Sequence, residues 1–196
     1  MQDMLEVVYE ALEVGARGVV FGRNVIQSPD PAETLRAIRA VVHEGKTPRE
    51  VVAGRLRGRV KLEVNSEKCT GCRLCEYVCA FTHHGVFDRS LSRIRIEGGW
   101  PGPFNILACT QCGMCVEACP SGALRLDERL GNVVWDRESC TFCGACAEAC
   151  PNGLVVVRPD LGFVGICDLC GGAPECERWC AREAIKMVEV GGESRV

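Results

Sequence analysis

Cys109-Thr110-Gln111-Cys112-Gly113-Met114-Cys115-Val116-Glu117-Ala118-Cys119-Pro120 is the stretch that decides how this chain folds. Three cysteines stand at two-residue intervals and a fourth follows after three more residues. The same spacing, closed by the same proline, returns at Cys140, Cys143, Cys146, Cys150 and Pro151. It occurs without the proline at Cys69, Cys72, Cys75 and Cys79, and in a stretched form at Cys167, Cys170, Cys176 and Cys180. All sixteen cysteines of the 196-residue chain belong to these four groups.

Three cysteines at this spacing curl a short loop around one metal cluster. The fourth sits on the next turn, faces away and reaches a neighbouring cluster, as in bacterial two-cluster ferredoxins. Sixteen thiolates suit four [4Fe–4S] clusters with four ligands each. A disulfide scaffold fits less well, because such scaffolds are secreted and the start Met1-Gln2-Asp3-Met4-Leu5-Glu6 lacks a basic signal-peptide region. Structural zinc usually takes its ligands from two separate knuckles rather than from a triple run.

The second and third groups are both followed by proline and lie close together. The first and fourth are followed by Ala80 and Ala181 and carry the longer insertions. Matching like with like predicts nesting, with an inner module of about residues 105–158 set inside an outer one. Cys69, Cys72 and Cys75 then join Cys180, and Cys167, Cys170 and Cys176 join Cys79. Cys109, Cys112 and Cys115 join Cys150, and Cys140, Cys143 and Cys146 join Cys119. Pairing the first group with the second, and the third with the fourth, is the competing arrangement that chain length allows.

The expected class for residues 60–196 is α+β. Strands are predicted at 60–64, 93–97 and 184–190, with the first and last pairing across the outer module. Hairpins are predicted for 123–127 with 133–136 and for 154–157 with 162–166, and a short helix after the third cysteine of each group. His83 and His84 read as packed or solvent-facing, Arg93 and Arg95 as a solvated strand face, and Trp100, Trp135 and Trp179 as packing residues.

Residues 1–59 hold no cysteine and read as a short α/β segment. Leu5, Val8, Tyr9 and Leu12 recur at helical spacing, and Gly18-Val19-Val20-Phe21-Gly22 reads as a strand. Asp30-Pro31-Ala32-Glu33 opens a helix that buries Leu35, Ile38, Val41 and Val42 and stops at Gly45. Thr47-Pro48-Arg49-Glu50 opens another.

The net charge is −3 with every cysteine counted neutral. Four clusters with their thiolates would add about −8, which argues against nucleic acid as a partner. No apolar run is long enough to span a bilayer, so a cytoplasmic protein without direct membrane insertion is expected.

Two resemblances add to this reading. Residues 60–190 resemble the electron-transfer subunits of molybdenum and tungsten oxidoreductases, in the DMSO-reductase and aldehyde ferredoxin oxidoreductase families. The stretch Cys79…His84-Gly85-Val86-Phe87…Leu91-Ser92-Arg93-Ile94 is similar to the small ferredoxin-like subunits of the latter. That resemblance implies anaerobic electron transfer between a tungsten or molybdenum pterin catalytic subunit and a flavoprotein or ferredoxin carrier, with no catalysis by this chain. An iron–sulfur subunit of a hydrogenase or a formate dehydrogenase is the nearest rival.

The run Gly15-Ala16-Arg17-Gly18-Val19-Val20-Phe21-Gly22-Arg23-Asn24-Val25-Ile26-Gln27, with Asp30-Pro31 and Val42-His43-Glu44-Gly45, resembles the last strand and helices of archaeal-type class I fructose-bisphosphate aldolases. The resemblance implies the end of a TIM barrel, with Gly22, Arg23 and Asn24 as part of a phosphate site. The Schiff-base lysine of that family belongs to an earlier strand, and Lys46 is wrongly placed to replace it. A vestigial segment is therefore expected, rather than an aldolase-derived enzyme with a ferredoxin tail.

Overall fold

A computed structural model of the chain describes residues 2–28, 30–53 and 59–190. It divides into two compact units, the N-terminal helices with Gly171–Ala173, and the rest of the cysteine-bearing part.

The N-terminal unit is built from α1 (Gln2–Glu13), α2 (Arg23–Ile26), α3 (Pro31–Glu44) and α4 (Pro48–Ala53). Asp30 caps α3 by accepting the Glu33 N–H at 2.8 Å, Pro31 occupies its first turn, and Gly45 ends it in a left-handed conformation. Thr47 and Glu50 cap α4 reciprocally: Glu50 accepts the Thr47 N–H and Thr47 accepts the Glu50 N–H. Leu5, Val8, Val25, Ala37, Ile38, Val41 and Val51 form the core.

Two expectations are corrected here. Gly18–Gly22 is not a strand, and none occurs among the described residues of this unit, so the segment is helical rather than α/β. A lone strand has no ladder to satisfy its backbone groups. Leu35 is exposed, and Thr34 and Ala37 face inward in its place.

The second unit is assembled from four two-stranded antiparallel ladders. β1 (Val60–Val64) pairs with β8 (Ile185–Glu189), Val60 opposite Glu189 and Val64 opposite Ile185. This ladder brings the two ends of the unit together, as expected. Val60 and Leu62 turn inward while Lys61 and Glu63 face out, the period-two pattern of a half-buried strand. The predicted hairpins are β4 (Leu124–Leu126) with β5 (Val133–Trp135), and β6 (Val156–Arg158) with β7 (Phe163–Gly165). β2 (Arg95–Glu97) pairs with β3 (Asn105–Leu107), a strand that was not predicted.

The helices between the ladders are α5 (Leu74–His84), α6 (Met114–Glu117), α7 (Ala145–Glu148) and α8 (Glu175–Arg178). Each begins one residue before the third cysteine of its group rather than after it. That cysteine is buried in all four cases.

Candidate metal centres

The loops that carry the cysteines share one backbone device. The second residue after the first cysteine is left-handed in every group: Gly71, Gln111, Phe142 and Leu169, at φ 55 to 69°. In the first three groups the fourth residue is left-handed as well, at Arg73 (φ 60°), Gly113 (φ 82°) and Gly144 (φ 85°). In the stretched fourth group Cys170 itself is left-handed. These reversals curl the loop. In the first three groups, one of the two positions is glycine, the residue that adopts this conformation without strain.

The curl turns backbone N–H groups onto sulfur. Gly71 donates to Cys69 Sγ and Gln111 to Cys109 Sγ, both at 3.4 Å. At the fourth cysteines, Leu154 donates to Cys150 Sγ at 3.4 Å, Ala184 to Cys180 Sγ at 3.3 Å and Arg93 to Cys79 Sγ at 3.3 Å.

Three cavities gather cysteines from different groups. One is lined by Cys69, Cys72, Cys75 and Cys180 and has a volume of about 500 Å³. The second takes Cys109, Cys112, Cys115 and Cys150, and Cys167 lines it as well. The third takes Cys119, Cys140, Cys143 and Cys146. The second and third are narrow, about 30 and 20 Å³, and bulky side chains such as Trp135, Phe142 and Leu154 line them. The remaining cysteines meet around Cys176, whose thiol is pushed far up by burial and then by Cys167, Cys79, Cys170 and Cys75.

This donor set suits an iron–sulfur core. Burial, then Glu76 and the neighbouring cysteines, raise Cys75 to about 12, and burial, then Cys109 and Cys112, raise Cys115 to about 11. Burial and then Cys109 push Cys167 well above the usual thiol range. Thiols crowded and buried in this way resist ionisation until a cationic core supplies the opposing charge. Cys119 differs: hydrogen bonds from Ser121 and from the backbone at Leu124 outweigh burial and lower it. Trp135 lines the third cavity, and its buried Nε1 has no hydrogen-bond acceptor among the described residues. A sulfide-rich cluster offers acceptors for such a donor.

Several side chains depart from expectation. Arg93 precedes β2, and its side chain is only 11 % exposed; Arg95 does face solvent. His83 Nε2 lies 3.7 Å from Cys170 Sγ and 3.6 Å from Asp168 Oδ1. His84, by contrast, packs as expected, edge-on against Phe163 at 4.1 Å. Trp100 and Trp179 are 89 % and 52 % exposed, so only Trp135 is a packing residue in the expected sense. Glu76 is buried at 2 % exposure and was not singled out from the sequence. It accepts the Ile96 N–H at 3.0 Å and Arg89 Nε at 2.7 Å, and pairs with Arg73 at 3.4 Å. Its position, directly after the third cysteine of a group, was the available signal. Gly22, Arg23 and Asn24 are exposed around the single turn of α2.

Loops and donors of this kind define a ferredoxin-type iron–sulfur protein. Two family models described as 4Fe-4S dicluster domains match the chain, over residues 65–123 and 108–154. A polyferredoxin-like subunit of the aliphatic sulfonate oxidoreductase of Pyrococcus furiosus is 42 % identical over 135 residues, 66 % of this chain and 78 % of that protein. The chain therefore belongs to the polyferredoxin-like iron–sulfur subunits of oxidoreductases and carries multiple [4Fe–4S] clusters.

The β subunit of the NADH-dependent phenylglyoxylate dehydrogenase of Aromatoleum evansii is 36 % identical over 126 residues. The match covers 62 % of this chain and 28 % of that protein. A stretch of 46 residues, 24 % of this chain, is 46 % identical to 16 % of the 3-hydroxy-5-phosphonooxypentane-2,4-dione thiolase of Salmonella paratyphi A. No helix among the described residues is long and apolar enough to cross a membrane.

Proposed function

We propose that this chain holds four [4Fe–4S] clusters in a single file and relays electrons between a catalytic oxidoreductase subunit and a carrier. Each cluster, when bound, accepts and releases one electron, and the chain itself supplies position, burial and hydrogen bonds to sulfur. The observation that carries the reading is the meeting, in each of three cavities, of three cysteines from one group with the last cysteine of another.

The proposed ligand sets are Cys69, Cys72, Cys75 with Cys180; Cys167, Cys170, Cys176 with Cys79; Cys109, Cys112, Cys115 with Cys150; and Cys140, Cys143, Cys146 with Cys119. The file runs in the order Cys69 set, Cys167 set, Cys109 set, Cys140 set. Neighbouring thiols support that order: Cys75 acts on Cys176, Cys109 on Cys167 and Cys146 on Cys115. The family match over 65–123 covers the first and second groups, which nesting assigns to different modules. Such a match scores spacing along the chain, whereas the β1–β8 ladder supports the return of the last group to the first.

Residues 60–196 form the cluster-binding domain in this proposal, with 105–158 as its inner module. Residues 1–59 form a separate segment in this proposal, one that resembles the last strand and helices of an aldolase-type chain. The catalytic partner is a tungsten or molybdenum pterin enzyme, by the resemblance of residues 79–94.

Anaerobically purified protein should contain about sixteen iron and sixteen labile sulfide per chain, from four cubane sites. Zinc without visible absorption would overturn the reading. Tungsten or molybdenum in the complex that co-purifies supports the partner, and nickel contradicts it.

A further inference from the structure

Arg93, its side chain 11 % exposed, stands beside the proposed ligands of one cluster site. Arg93 donates its backbone N–H to Cys79 Sγ at 3.3 Å, and its side chain folds inward over the Phe163 ring, 5.7 Å from guanidinium to centroid. Nη1 lies 2.9 Å from His83 Nδ1 and 3.3 Å from Asp168 Oδ1. His83 in turn lies against Cys170, and Asp168 accepts the Cys170 N–H at 3.0 Å. One guanidinium thus stands between elements that carry two of the four proposed ligands.

The counter-charge within the protein is incomplete. Asp168 is 39 % exposed, so water screens its charge, while Arg93 at 11 % is screened far less. Arg93 Nε is buried and has no acceptor among the described residues. Burying an always-charged guanidinium with an unmet N–H is costly unless a further anion lies close. A [4Fe–4S] core with four thiolates carries about −2, which supplies that anion.

From this geometry we infer that Arg93 is a positioning residue of the relay: it raises the reduction potential of the cluster held by Cys79, Cys167, Cys170 and Cys176 above the value its surroundings would otherwise set. The sign follows from electrostatics. Reduction adds negative charge to the site, and a fixed, poorly screened positive charge favours the more negative state. Arg73 and Arg182 line the cavity of the Cys69 set, but the Arg73 side chain is 27 % exposed and Arg182 faces solvent, so water screens both more than Arg93. This inference rests on the proposed ligand sets.

The test is a redox titration of the full-length, cluster-loaded protein, followed by electron paramagnetic resonance, for wild type, Arg93→Gln, Arg93→Lys, Asp168→Asn and Cys79→Ser. In Arg93→Gln one couple of the four should fall, with about a tenfold smaller reduced-to-oxidised ratio at fixed potential, about 59 mV for one electron. Arg93→Lys should keep most of the wild-type value. Asp168→Asn, which removes negative charge, should move the same couple upward. That readout stands even where Arg93→Gln loses iron.

The couple that moves should be the one that Cys79→Ser perturbs. If no couple moves in Arg93→Gln or Asp168→Asn while Cys79→Ser alters one, the role of Arg93 is wrong and the ligand set stands. If the moving couple is untouched by Cys79→Ser, the ligand assignment fails instead. An equal shift of all four couples would show a general change in charge and overturn the inference.

Discussion

The second and third cysteine groups are near copies of each other, while the first and fourth have diverged. α6 and α7 each span four residues, enter from a left-handed glycine and end just before a Cys-Pro step. In the first group α5 runs eleven residues, Leu74–His84, and is entered from a left-handed Arg73. In the fourth group the cysteines are stretched and α8 follows Pro174. Two polar groups stand there: Glu76, buried, with Arg73 and Arg89, and Arg93, largely buried, with His83 and Asp168. At the position after the third cysteine, Val116 and Ala147 stand where the outer groups have Glu76 and Glu177. Where the chain only has to hold clusters, it repeats itself. In the first group it replaces repetition with polar anchors that tie β2 and the Ser92–Ile94 turn to α5.

The largest effect should come from breaking that anchor. Glu76→Ala leaves Arg73 and Arg89 without their buried partner and the Ile96 N–H unpaired. It should cost about 3 kcal/mol or more of stability, read by denaturant unfolding of the loaded protein. Val116→Ala, at the matching inner position, should cost about 1 kcal/mol. Equal losses would dissolve the contrast between the modules.

A smaller effect tests the loops. Gly71 is left-handed, and a Cβ there would overlap the Phe104 ring. Gly113 is also left-handed, but its nearest neighbour would be Leu126 Cδ1 at 4.0 Å. Gly71→Ala should therefore cost about 2–4 kcal/mol from strain plus overlap, and Gly113→Ala about 1–2 kcal/mol from backbone strain alone. Iron retention on mild heating should rank the two in that order. The reverse ranking would mean that the outer loop yields more readily than its packing implies.

The smallest effect sharpens the other boundary. The N-terminal unit has its own core of Leu5, Val8, Ile38 and Val41. Removing residues 1–58 should leave iron content and visible absorption unchanged. Loss of a cluster on truncation would give that segment a structural role.

How much of this could be read from residues alone depended on period and spacing. The cysteine groups, the β1–β8 closure and two hairpins follow from motifs that repeat or alternate. β3 was missed because three residues between Phe104 and the cysteine loop hold no measurable period. The strand at Gly18–Gly22 was expected from an apolar run, which says nothing about whether a neighbour exists to complete a ladder. Arg93 was assigned to a solvated face because it alternates with Arg95. The strand starts only at Arg95, and Ser92 closes a turn onto the Ile94 carbonyl at 2.7 Å, so Arg93 turns inward. The Arg93–His83–Asp168 group joins residues far apart in the chain, and no local pattern marks such a meeting.

Nesting is the central claim, and Cys180 decides it. In an anaerobic crystal structure of the loaded protein, Cys180 Sγ should be bonded to iron of the cluster that Cys69, Cys72 and Cys75 hold. Cys180 Sγ bonded instead to the cluster of Cys140, Cys143 and Cys146 would contradict nesting and restore a tandem arrangement of first with second and third with fourth.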